Sequence, residues 1–260
     1  MQSLSDDLAV EPSCECAMPS AHSQSSDEVA IETWLTATNC VLGRMPRRDL
    51  LDLVQRALIR DLPPRVLVHR QGGVGQALLG LLDGFVKISS TAISGREVVL
   101  EVVGPGGWLG ELETFSASPR QADVMTLTQC RVLTFDRRDV LRAMARSPEG
   151  ALALVDLVSH RLRLARQRVL DVIGLPAPAR LAKTLMYLDD LRMGATRCGI
   201  CTEKPLLSQS ELGSLAGLSR ESINKTLAAF RDAGLISSSR RSLTIRDRCA
   251  LERRFFVSDE

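Results

Sequence analysis

No apolar run in the 260-residue sequence approaches the length of a bilayer-spanning helix, which needs roughly 20 consecutive apolar residues. The N-terminus also lacks a basic stretch leading into an apolar one, the mark of a secretory signal. A cytoplasmic protein without a membrane segment is therefore expected. Basic residues are missing from the start of the chain: no Lys or Arg precedes Arg44, whereas Asp6, Asp7, Glu11, Glu15, Asp27, Glu28 and Glu32 all do. The balance of 33 Lys and Arg against 31 Asp and Glu thus conceals an acidic head on a more basic body. Enzyme signatures are absent as well. There is no HExxH, no GxxxxGK[ST] and no GxSxG, and His22, His69 and His160 share no motif, so no catalytic activity is expected. The seven cysteines (Cys14, Cys16, Cys40, Cys130, Cys198, Cys201, Cys249) are odd in number and scattered, which excludes a disulfide framework. Cys198 and Cys201 have no second ligand pair nearby to complete the four-coordination of zinc, and no metal site is expected.

What the chain does contain falls into four stretches. Residues 1–35 are rich in Ser, Asp, Glu and Pro and are read as a disordered acidic tail, because they cannot bury enough apolar surface to offset the entropy of ordering. Residues 36–147 open on an amphipathic helix from Asp49 to Ile59, ended by Pro63-Pro64. Short β-rich segments follow around Val66–His69, Ala77–Leu82, Phe85–Ile88, Glu97–Val103, Asp123–Thr128 and Arg131–Phe135, each bounded by Gly, Pro, Ser or Asp. Many short strands at close spacing imply a roll or barrel. The Gly72-Gly73-Val74-Gly75 run reads as a turn, since no GK[ST] follows it. Over 148–174 the period becomes helical. Val155, Val158, Leu162, Ala165, Val169 and Val172 alternate spacings of three and four, flanked by Arg161, Arg163, Arg166 and Arg168. This narrow a/d seam predicts a parallel dimer helix and hence a two-fold homodimer. Gly174-Leu175-Pro176 ends it and supplies a hinge.

Residues 175–260 carry the DNA-reading constellation. A helix over Ala179–Leu191 leads to a loop or hairpin at 194–206. Ser208-Gln209-Ser210-Glu211 is a capping box that starts the next helix. Gly217 permits a positive-φ turn, and Ser219 can cap a second helix with Ile223, Leu227 and Phe230 on its inner face. Two short helices joined this way form a helix-turn-helix. Arg220, Glu221, Asn224 and Lys225 lie opposite the inner face, where Arg can bond guanine and Glu can accept from cytosine in the major groove of double-stranded DNA. Ser219, Ser222 and Thr226 are short enough to approach phosphates. Beyond Gly234-Leu235-Ile236, a hairpin over Ser237–Ile245 forms a wing with Arg240 and Arg241 at its tip, placed for phosphate contact.

The run from Leu207 to Gly213, continued through Gly217-Leu218-Ser219-Arg220-Glu221-Ser222-Ile223-Asn224-Lys225 to Gly234-Leu235-Ile236, resembles the signature of the Crp/Fnr family of bacterial transcription regulators. The likeness extends over about residues 40–250 and implies an α+β fold: a cyclic-nucleotide-binding-type β-roll, a long dimerisation helix and a C-terminal winged helix-turn-helix. It implies palindromic promoter sites with half-sites resembling TGTGA, with Arg220, Glu221 and Lys225 as base readers and RNA polymerase as a partner. Lys225 cannot present the bidentate fork of an arginine. Gly110-Glu111-Leu112 and Pro119-Arg120-Gln121-Ala122 are similar to the family's phosphate-binding cassette. Arg120 would pair with a cyclic phosphate, backbone amides near Gly110 would favour the anion, and Glu111 would accept from a ribose hydroxyl. Two departures bear on the effector. Gln121 stands where nucleotide binders place Ser or Thr, and Ala165-Arg166 stands where cyclic-AMP-responsive members carry Thr-Ser. Arg166 could serve a guanine edge or a second phosphate, so cyclic di-GMP and cyclic GMP stand beside cyclic AMP as candidate effectors. The alternatives are a ligand-independent regulator, a redox or iron–sulfur-controlled one using Cys14, Cys16, Cys40 and Cys130, and a cyclic-nucleotide module acting through protein contacts.

Overall fold

The computed structural model describes residue 31 and residues 45–197, 207–239 and 242–256. Helix α1 (Arg47–Gln55) buries Leu50, Leu53 and Val54 on one face. It ends sooner than its apolar spacing suggests, because Leu58–Leu62 form strand β1. Leu58 sits opposite Thr134, and this pairing with strand β8 (Cys130–Asp136) outweighs the helical pattern through Ile59. The other strands are β2 (Leu67–His69), β3 (Ala77–Asp83), β4 (Val86–Thr91), β5 (Glu97–Val103), β6 (Trp108–Leu109) and β7 (Asp123–Thr126).

The eight strands make two four-stranded antiparallel sheets, in the orders β1-β8-β3-β6 and β2-β7-β4-β5. Leu79, Leu81, Leu109 and Val132 of the first sheet meet Val86, Val103 and Val124 of the second in a shared core. This is the roll expected from the short β-rich segments, within the α+β fold that the family resemblance implies. A second core lies on the outer face of the first sheet, where Trp108 and Phe135 stack at 5.7 Å between ring centroids and pack with Leu53 and Val140. Two further helices accompany the roll: α2 (Glu111–Ser116), a short helix that starts at Gly110 beside β6, and α3 (Arg137–Arg146), whose cap Asp136 accepts from the Arg138 amide at 2.7 Å.

Helix α4 runs from Pro148 to Gly174 over 27 residues, started by Pro at its first turn and by Ser147 Oγ, which accepts from the Gly150 amide at 3.1 Å. Ala153 and Leu157 turn toward the roll. Val155, Val158, Leu162, Val169 and Val172 remain exposed on the other side.

The C-terminal unit comprises α5 (Ala177–Arg197), α6 (Gln209–Leu215), α7 (Arg220–Asp232), the hairpin β9 (Ile236–Ser239) and β10 (Ser242–Ile245), and α8 (Arg248–Phe256). Leu181, Leu185, Leu212, Ile223, Leu227, Phe230 and Leu251 form its core. Helix α5 continues past Leu191 to Arg197, so residues 194–197, expected in a loop or hairpin, are helical. Cys198 and Cys201 lie outside the described residues. No helix among the described residues is long and apolar enough to cross a membrane.

Candidate functional site

The recognition surface is built by two caps and one turn. The Ser208 amide donates to Glu211 Oε2 at 2.7 Å and the Glu211 amide donates to Ser208 Oγ at 3.2 Å, so both halves of the capping box are present. Gly217 turns the chain at φ 64°, and Ser219 Oγ then accepts from the Ser222 amide at 3.1 Å to start α7. Burial of Ile223, Leu227 and Phe230 fixes the rotation of that helix. Arg220, Glu221, Asn224 and Lys225 are left exposed on the opposite stripe, at spacings that place them on one helix face. Ser219 and Ser222 stand at the same end, their hydroxyls 2.9 Å apart with Ser219 donating. Thr226 does not join them. It is buried, and its hydroxyl donates back to the Ser222 carbonyl at 2.7 Å, so the short side chain read as a phosphate neighbour faces the core instead. The antiparallel β9–β10 pair forms the wing hairpin; Arg240 and Arg241 lie outside the described residues.

A cavity of about 450 Å³ opens between the roll and α4, within the range of small-ligand sites. Gly110, Glu111, Leu112, Arg120 and Gln121 all line it. Gly110 is required at φ 78°: a Cβ there would fall 2.0 Å from Arg120 Nη1. Arg120 is buried, and its guanidinium donates to the carbonyls of Gly110 at 3.1 Å and Ala77 at 2.5 Å, and to Glu113 Oε2 at 3.2 Å. Its Nε is buried without a hydrogen-bond partner. The Gln121 side chain turns back to the Pro119 carbonyl at 3.1 Å, while its backbone amide donates to Glu113 Oε1 at 3.0 Å. Glu111 is only 1% exposed. Arg161 Nη1 lies 2.6 Å from its Oε1 but off the line of a hydrogen bond, leaving both oxygens unsatisfied. Burial raises the Glu111 carboxyl above its usual range against the opposing charge of Arg161.

Arg166 is not brought to this cavity. It is exposed, and the α4 residues on the wall are Arg161, Leu164, Ala165 and Arg168. The sequence shows these arginines only as flanks of the apolar seam; the rotation of α4 on the roll decides which turn inward. Glu113 and His69 also emerge as wall residues, although nothing in their sequence spacing marks them. Burial, and after it the Arg120 charge, lower His69 to about 4 against the opposite pull of Glu113. The folded state therefore binds fewer protons than the unfolded chain between that value and the ordinary 6.5. Stability from neutral His69 is complete above that window and is lost as pH falls through it. The urea midpoint of wild type should drop between pH 6.5 and 4 more steeply than that of His69→Gln; parallel curves would refute this.

The wall of the cavity includes Leu215, at the end of α6, because the C-terminal unit docks on β4 and β5. Lys87 Nζ, buried on β4, lies 2.7 Å from Glu211 Oε1 and 2.8 Å from Glu97 Oε1. Arg65 Nη1 reaches the same Glu211 oxygen at 3.0 Å, and the Val99 amide donates to Ser214 Oγ at 2.8 Å. Burial alone would raise the Glu211 carboxyl; hydrogen bonds from Lys87 and from Ser208 outweigh it and hold it at about 2. Tyr187 Oη adds a hydrogen bond to the Val102 carbonyl at 2.7 Å. Elsewhere in the roll, Cys130 is buried and donates to the Phe85 carbonyl at 3.3 Å, and burial pushes its thiol up to about 11. Cys14, Cys16 and Cys40 lie outside the described residues.

A cavity-bearing roll, joined through one long helix to a helix-turn-helix with an exposed reading face, defines a DNA-binding transcription regulator. The profile of the cyclic nucleotide-binding domain matches residues 59–147, and that of the Crp-like helix-turn-helix domain matches residues 179–254. The chain is 36% identical over 195 residues to the CRP-like cAMP-activated global transcriptional regulator of Mycobacterium tuberculosis, covering 75% of this chain and 86% of that one. It is 31% identical over 188 residues to the cyclic AMP receptor protein of Thermus thermophilus, covering 71% and 82%. The fold is similar to FixK2 of Bradyrhizobium japonicum, with TM-score 0.65 at 18% identity over 78% of this chain and 98% of that one. It is also similar to the c-di-GMP responsive regulator CLP of Xanthomonas campestris, with TM-score 0.64 at 22% identity over 78% and 100%. The chain belongs to the Crp/Fnr family of transcription regulators; its relatives are regulators, not enzymes.

Proposed function

We propose that this regulator works as a homodimer on palindromic promoter sites, and that a cyclic nucleotide in the roll cavity sets its DNA affinity. One observation carries the reading: a single cavity is walled by the phosphate-binding cassette, by Ala165 and Arg168 of α4, and by Leu215 of the first helix of the helix-turn-helix. An occupant touches all three parts and can favour one arrangement of them over another, which is the requirement for a ligand to shift an equilibrium. Relatives are named for cyclic AMP and for c-di-GMP, and cyclic AMP, cyclic GMP and cyclic di-GMP are the effectors to be tried. Arg220, Glu221, Asn224 and Lys225 read bases, Ser219 and Ser222 approach phosphates with Arg240 and Arg241 of the wing, and RNA polymerase receives the output. Fluorescence anisotropy with a palindromic duplex, with and without each nucleotide, tests this. Equal affinity for palindromic and scrambled duplexes, unmoved by any nucleotide, would overturn it.

The docking contacts supply the coupling. Removing the Lys87 ammonium breaks charge-assisted bonds worth about 2 kcal/mol and leaves Glu211 to the half-exposed Arg65. In Lys87→Met the C-terminal unit should leave the roll more often, seen as faster hydrogen exchange at the Val99 amide, which Ser214 now protects. DNA affinity without effector should also change. Unaltered exchange at Val99 would show that Lys87 does not hold the two units together.

A further inference from the structure

The place beside Arg120 and the Gln121 amide already holds an anion, and it belongs to the chain. Glu113 Oε2 accepts from Arg120 at 3.2 Å and Oε1 accepts from the Gln121 amide at 3.0 Å. Both Glu113 and Arg120 are buried, at 6% and 5% exposure. The carboxylate is seated rather than stray: Gly75 packs against its stem so closely that a Cβ on residue 75 would fall 2.5 Å from Glu113 Cβ. A guanidinium and an adjacent backbone amide converging on two oxygens form the donor set that a phosphate takes. Arg120 Nε and both oxygens of Glu111 are buried with no hydrogen-bond partner, so the cavity retains unspent capacity for a ligand.

We infer that Glu113 is a built-in competitor for the phosphate of the effector: its carboxylate fills the anion position of the cavity, and a phosphate-bearing ligand binds by displacing it. The inference rests on the cyclic-nucleotide reading for the identity of the ligand, but the displacement itself does not depend on the nucleoside. Two carboxylate oxygens cannot share those donors with a phosphate, and a second buried anion a few ångströms away would repel the first. Glu113 thus sets the ligand concentration at which the regulator responds. The unsatisfied Glu111 oxygens, adjacent on the same wall, are left to receive hydroxyl donors from whatever the phosphate carries.

Two probes separate the claims. Isothermal titration of cyclic AMP, cyclic GMP and cyclic di-GMP is run on wild type, Glu113→Ala, Glu113→Gln and the double variant Glu113→Ala/Arg120→Ala. Thermal shift with inorganic phosphate is run on the same four proteins. Glu113→Ala should bind at least one nucleotide about tenfold or more tightly than wild type, the scale of one charge-assisted hydrogen bond. Phosphate should stabilise it where wild type shows no shift, and Arg120→Ala should erase both gains. Glu113→Gln keeps the packing and should show the gain in part, which covers the case of a poorly folded alanine variant. Should phosphate stabilise Glu113→Ala while no nucleotide binds any variant, the competitor stands and the nucleotide reading falls. If wild type binds nucleotide as tightly as both single variants and phosphate discriminates none of them, the inference is wrong.

Discussion

Replacing Arg220 and Glu221 together by alanine is expected to remove sequence-specific DNA binding while leaving the fold intact. Both side chains are exposed on the first turn of α7, the part of a recognition helix that enters the major groove. Each well-placed bidentate contact to a base edge discriminates by about 1–3 kcal/mol, so the pair together should account for about 4 kcal/mol, roughly a thousandfold. Neither residue supports the hydrophobic core, which is built from Ile223, Leu227 and Phe230 on the other face, and the melting temperature should hardly move. Non-specific affinity, an electrostatic property of the whole basic surface, should fall only slightly and keep its dependence on salt. Competition between a palindromic duplex and a scrambled one measures the ratio directly. A ratio unchanged by the double substitution would mean that α7 does not read bases. Lys225→Ala should be milder, since an ammonium contributes a point charge rather than a fork.

What could be read from sequence, and what could not, follows the range of the forces involved. The capping box at Ser208, the glycine turn at Gly217 and the inner face of α7 are local: each depends on side chains within a few residues, and each stands in the structure. Six of the eight strands of the roll were legible for the same reason, as short β-rich runs between breakers; β6, two residues long, was too short to be. Strand β1 was not, because Leu58 and Ile59 continue a helical spacing and only their pairing with Thr134 and Leu133 makes them extended. In the cavity, Gly110, Glu111 and Arg120 came from the likeness to the family's phosphate-binding cassette. Leu215 and Glu113 did not, and neither did the Lys87 contact outside it: Lys87 meets Glu211 across 124 residues, and Leu215 reaches the cavity only when the C-terminal unit docks. Arg166 shows the limit at finer scale. A helix presents neighbours in sequence to directions about 100° apart, so knowing that α4 borders the cavity could not tell Arg166 from Arg168.

Substituting Leu162→Asp with Val169→Asp should convert the protein to a monomer and lower its affinity for a palindromic site by about two to four orders of magnitude, the gain that linking two binding events confers. Val155, Val158, Leu162, Val169 and Val172 form an exposed apolar stripe on α4, the kind of contiguous apolar surface that marks an interaction site. Its alternating spacing of three and four residues suits a second parallel copy, which brings two α7 helices to half-sites about 34 Å apart. Aspartates at two seam positions place like charges face to face in the dimer yet stay solvated in the monomer, so the roll should keep its own stability. Sedimentation velocity at micromolar concentration measures the state, and anisotropy with full and half palindromes measures the consequence. The variant should bind full and half sites alike. A variant that remained dimeric would place the interface elsewhere; one that became monomeric but still preferred the full palindrome would separate dimerisation from recognition. The same substitutions reach the cavity indirectly. Ala165 belongs both to the predicted seam and to the cavity wall, so in the proposed dimer pairing of α4 with its copy and filling of the roll would act on one side chain. Ligand affinity should therefore fall in the monomeric variant without any change to the phosphate-binding cassette, because a ligand that favours the paired state must, by reciprocity, be favoured by it.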